Sequence, residues 1–60
     1  MICETQSLVE ALHRRGFLID KIFLEPDEAE RHAAALRQSE RPTVCVHDQS
    51  NDEYHVWSKA

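Results

Sequence analysis

The chain has one glycine, two prolines, two cysteines and few aromatic side chains, namely one tryptophan, one tyrosine and two phenylalanines. A single glycine leaves no glycine-rich loop to cradle phosphate groups and no strand-turn-helix nucleophile elbow. Cys3 and Cys45 lie far apart, so the paired Cys-x-x-Cys of a zinc ribbon or a redox centre is missing. No apolar run approaches the roughly 18 residues that span a bilayer, and no charged-apolar-small leader is present. The expectation is a cytoplasmic chain without membrane contact, in which both thiols stay reduced. Positive charge is also short, with 7 basic against 11 acidic residues and a formal charge of −4. Phosphate binding by counterion release needs a concentrated positive surface, so no direct nucleic-acid partner is expected.

What the chain does have is enough for one small core. Sixty residues make a single domain, 1–60, that buries only about 60% of the surface its unfolded form exposes. Such domains often gain stability from a metal, a disulfide or a second subunit. They also have little room for a sheltered pocket with an oxyanion hole, so a noncatalytic protein without a cofactor is expected.

Ser7-Leu8-Val9-Glu10 has the form of a capping box, in which hydroxyl and carboxylate satisfy free amides at a helix start. Leu8, Ala11 and Leu12 share a face, and Gly16 suits a left-handed position that ends the helix and folds Phe17 back on Leu12. The run Phe17 to Leu24 then reads as a strand. Leu18, Ile22 and Leu24 fall on one face and Ile19 and Phe23 on the other, which predicts a strand covered on both sides. Asp20 and Lys21 interrupt it, as at a bulge, a sheet rim or an exchange of neighbours.

Pro26 at a first helical position, followed by Asp27 and Glu28 at the positive end of the dipole, starts a second helix that runs to about Ser39. Its inward stripe is Ala29, His32, Ala33 and Leu36. Thr43 to His47 and Glu53 to Trp57, separated by the polar turn Asp48 to Asp52, form a β-hairpin. Pairing Val46 with Val56 separates Val44, Val46, Tyr54 and Val56 from Cys45, His47, His55 and Trp57; a one-residue slip mixes these sets. The expected fold is α+β, in the order α-β-α-β-β, with a three-stranded sheet, a C-terminal hairpin and one or two helices packed on it. The first strand lies parallel to the second if the intervening helix is a crossover; a fully antiparallel sheet is the alternative.

Candidate sites cluster on the hairpin. The preferred register places Cys45, His47 and His55 on one face, a donor set for zinc with Asp48, Cys3, His13 or His32 as fourth ligand, although Cys-x-His is also ordinary strand composition. A Cys45 nucleophile with His47 or His55 as base can be drawn there too, but lacks a pocket. Trp57 and Tyr54, with His47 and His55, make a contact patch of the kind enriched at protein interfaces if Trp57 is exposed; otherwise Trp57 is a lid on the core. The resulting expectation is a small protein-binding regulator or adaptor acting through its hairpin face as a homodimer. The second expectation uses Glu25, Asp27, Glu28 and Glu30 as an acidic surface. A phage- or plasmid-encoded inhibitor of a nucleic-acid-handling complex would present such a surface to a basic protein. The dull explanation of the same carboxylates is that they complement the helix dipole.

Overall fold

The computed structural model describes all residues, 1–60. The element order is β1 (Ile2–Cys3), α1 (Gln6–Arg14), β2 (Leu18–Phe23), α2 (Pro26–Gln38), β3 (Thr43–Asp48) and β4 (Glu53–Ser58). The α+β class holds, but the sheet has four strands rather than three, in the order β1-β3-β4-β2. The extra strand is the two-residue β1, which pairs parallel to β3 through Ile2 opposite Val46 and Cys3 opposite His47. Two residues carry no periodicity, which is why the strand escapes a reading by pattern.

Both helices begin and end for local reasons. Thr5, with extended backbone, caps α1 through its hydroxyl, which accepts from the Leu8 amide at 3.1 Å. The expected cap at Ser7 is thus displaced by two positions, and Ser7 lies inside the helix. At the other end Gly16 has φ of 86°, its amide donates to His13 and that of Phe17 donates to Leu12, a complete Schellman closure as the sequence indicates. Pro26 opens α2 as expected. The same closure ends α2, with Glu40 at φ 62° in the position glycine normally takes and Arg41 N–H donating to Leu36.

The helices pack on opposite faces of the sheet. On one face Ala29 and Ala33 of α2 meet Cys45 and Val56, flanked by Phe23, Leu36 and Tyr54. On the other, Leu12 of α1 meets Val46 and Trp57, flanked by Leu8, Val9, Phe17 and Val44. Topology requires this. β1, β2 and β3 run in one direction, β1-α1-β2 crosses the sheet one way and β2-α2-β3 returns, so two crossovers of one hand put their helices on opposite sides. β2 and β3 thus run parallel, one of the two arrangements the sequence leaves open, but they do not pair, because β4 lies between them, antiparallel to both.

Coverage on both faces also decides the hairpin register. Cys45 opposes Val56 and Val46 opposes His55, one residue away from the favoured pairing. Segregating apolar residues onto one face is an advantage only when the other face meets water; here Cys45 with Val56 and Val46 with Trp57 each find a helix. The central strands β3 and β4 are the doubly covered ones. β2, the most apolar segment, is an edge strand whose Leu18, Ile19 and Ile22 are exposed, contrary to the expected burial on both sides. Of the readings of Asp20 and Lys21, the bulge is the one observed: Ile19 opposes Trp57 and Lys21 opposes Val56, leaving Asp20 extra.

Candidate functional site

Trp57 is 1% exposed, packed under α1 with the His13 ring edge-on to it at 5.1 Å. It is a core residue, so the contact patch expected around it is not a surface of the single chain. Its Nε1 is buried without a hydrogen-bond partner. Tyr54 and His47, cross-strand partners on the α2 face, stack in parallel with centroids 4.5 Å apart. His47 also meets Asp52 at 3.2 Å.

The register separates the expected zinc ligands. Cys45 and His47 point to the α2 face, whereas His55, opposite Val46, points to the α1 face, so no single ion reaches Cys45 and His55. Burial pushes the Cys45 thiol up, with the Glu30 carboxylate adding to the effect, so it is a neutral core group and a poor nucleophile.

His55 instead has carboxylates on both ring nitrogens. β1 pairing delivers Glu4, whose amide donates to the His47 carbonyl at 2.8 Å, and its Oε1 lies 3.0 Å from His55 Nδ1. His55 Nε2 lies 3.3 Å from Glu53 Oε1 and 3.9 Å from Asp48 Oδ2. His55 is 7% and Asp48 5% exposed. Asp48 is held by the hairpin turn: Oδ1 accepts from the amide and hydroxyl of Ser50, Oδ2 from Asn51. These side-chain donors, Ser50 and Asn51, hold its carboxyl below the usual range, so it is an anion. Glu4 and Asp48 also line an open cleft of about 580 Å³ with Thr5, Gln6, Val9, Gln49 and Ser50. His55, and Asp48 and Glu53 as acidic residues of the hairpin turn, are visible in the sequence, but Glu4 is not, because it arrives only through the β1 pairing.

Two surfaces remain. Glu25, Asp27, Glu28 and Glu30 are all exposed at the start of α2, and none is in a salt bridge. The second surface is the outer edge of β2. Leu18 is 69%, Ile19 45% and Ile22 47% exposed, and the adjoining Leu24 is 72% exposed. Inside it, Asp20 pairs with His32 of α2 and the Lys21 ammonium lies 5.2 Å from the Phe23 ring centroid. No helix is long and apolar enough to cross a membrane. Comparison with known proteins returns no likeness, since no family model, curated protein or solved structure matches the chain.

Proposed function

We propose that the protein is a noncatalytic protein-binding module that acts as a homodimer, with β2 of one copy pairing antiparallel to β2 of the other. The observation that carries this reading is an edge strand with one free row of backbone groups and four large apolar side chains in water, Leu18, Ile19, Ile22 and Leu24. Such an edge is a ready template for pairing with another strand.

A second copy fits the edge better than an arbitrary strand does. The segment Leu18-Ile19-Asp20-Lys21-Ile22-Phe23 is its own antiparallel complement: turned end for end, Ile19 meets Ile22, Leu18 meets Phe23 and Asp20 meets Lys21. The bulge makes the faces agree. Ile19 and Ile22 both share the face of Trp57 and His55, while Leu18, Lys21 and Phe23 share that of Ser58, Val56 and Tyr54. A two-fold axis normal to the sheet keeps each face on its own side, so every pair meets its like or its opposite charge. The contact surface thus shifts from the hairpin face, which the helices cover, to the sheet edge.

Light scattering should give twice the 7.0 kDa chain mass. Lys21→Asp should weaken association by placing like charges together, and the exchange Asp20→Lys with Lys21→Asp should restore it. A wild-type chain that stays monomeric at high micromolar concentration would remove the reading.

A second reading rests on the exposed carboxylates at the start of α2, which no cation neutralises. They form an acidic surface for a basic protein partner, such as a nucleic-acid-handling complex. Binding to such a partner should weaken steeply with salt and be lost when Glu25, Asp27, Glu28 and Glu30 become glutamines. Salt-insensitive binding would exclude it.

A further inference from the structure

Three carboxylates surround one buried imidazole at the hairpin end. Glu4 stands at Nδ1, and Glu53 and Asp48 at Nε2. Ionised carboxylates only accept hydrogen bonds, so a neutral ring that donates from Nδ1 to Glu4 turns its Nε2 lone pair toward two anionic oxygens. A ring proton or a bound cation can lie between them. A proton on the ring neutralises one of the three charges, whereas a divalent ion neutralises two and leaves the ring free to bind it.

We propose that His55 Nε2, Asp48 Oδ2 and Glu53 Oε1 bind a divalent first-row ion of the Mn2+ or Zn2+ class. The donor atoms all lie within 4.8 Å of one another. Ligands at about 2.1 Å from an ion stand about 3.0 to 3.4 Å apart in octahedral or tetrahedral geometry. The 3.3 Å between Nε2 and Glu53 lies in that range, and the 3.9 Å to Asp48 is longer, so an ion would draw Asp48 Oδ2 inward against its bond from Asn51. Glu4 supplies the part a bound metal needs from its surroundings. A histidine ligand characteristically donates its other N–H to a carboxylate, which orients the ring and raises its basicity, and the Nδ1 contact at 3.0 Å is that arrangement. One nitrogen and two carboxylate oxygens suit Mn2+ and Zn2+ better than the thiolate-seeking ions. Glu4 and Asp48, on either side of the ring, also line the adjacent open cleft.

The site would also tie the structure together. Asp48 ends β3, and Glu53 and His55 belong to β4, so one ion joins the two hairpin strands and reaches Glu4, after β1, through the His55 ring. The ion thereby supplements a core that is small for an isolated domain.

The test is titration of the full untagged chain, dialysed against chelator, with MnCl2 and separately with ZnCl2. The expected result is one-to-one binding of at least one of the two ions and a higher melting midpoint. Mn2+, which ignores the exposed Cys3 thiol, should broaden the His55 ring resonances before those of His13 and His32. Glu53→Gln, at the half-buried rim, should keep the circular dichroism of the wild type and bind at least about tenfold more weakly, as should Glu4→Gln from behind the ring. Glu28→Gln should bind normally. No saturable binding up to about 1 mM of either ion, or binding unchanged in both Glu53→Gln and His55→Gln, would overturn the assignment and leave a ring proton as the compensating charge.

Discussion

At the residue scale the two cysteines illustrate how position, not type, sets chemistry. Cys3 lies at the exposed edge strand β1, within 3.3 Å of the Gln49 side-chain amide, whereas Cys45 is 5% exposed between β4 and the alanines of α2. Burial raises the Cys45 pKa above the roughly 8.5 of an unfolded thiol. The folded chain therefore holds this proton when the unfolded chain has lost it. The stabilisation is complete below the unfolded value and is lost as pH rises through the folded one. Two consequences can be measured. Near pH 8 a thiol-reactive dye should label Cys3 in a fast phase and Cys45 only as fast as the protein opens, with denaturant exposing the second equivalent. Stability of Cys3→Ser should fall as pH rises above about 8.5 more steeply than that of Cys3→Ser with Cys45→Ala, both taken from denaturant midpoints. Equal labelling rates for the two thiols would show that the α2 face of the sheet is not closed.

At the element scale, what could be read from the sequence was whatever a few neighbouring residues decide. Pro26 starts α2, Gly16 ends α1, and Asp20 with Lys21 breaks β2, each through its own backbone or charge. Tertiary facts were not legible. An apolar run such as Leu18 to Leu24 cannot say whether a central or an edge strand carries it, because period-2 alternation does not distinguish a covered face from one waiting for a partner. The hairpin register failed for a related reason, since the choice assumed one wet face and the fold has a helix on each. With it failed the grouping of Cys45 with His55. The two Schellman closures offer a matched test of the local rules. Glu40 occupies a left-handed position at φ 62°, where a side chain costs more than the entropy glycine would lose. Glu40→Gly should raise stability by about 0.5 to 1 kcal/mol in urea unfolding. Gly16→Ala should lower it by about 1 kcal/mol. Space is not the cause, because an added Cβ would lie 3.7 Å from Lys59 Cε, so the loss would report the φ of 86°. Destabilisation by Glu40→Gly would mean that Glu40 makes a contact outweighing its backbone strain.

At the scale of the whole molecule, a sheet clad by one helix on each face leaves its weakness at the sides. The widths explain why. Each helix covers chiefly the central strands β3 and β4, where Val46, Val56 and Trp57 reach full burial, and leaves Leu18, Ile19 and Ile22 of β2 exposed. Extending the sheet across a two-fold axis would bury Ile19 and Ile22 and satisfy the free backbone row without moving either helix. In a domain this small, such association would be part of folding, and stability would depend on protein concentration. The midpoint of thermal unfolding should rise by about 5 to 10 °C over a hundredfold increase in chain concentration. In Ile22→Lys it should be independent of concentration and close to the wild-type value at the dilute end, because Ile22 is 47% exposed in the single chain and loses little there. A wild-type midpoint that does not move with concentration would mean that β2 meets water in the working protein, and that its apolar edge is held open for a different chain.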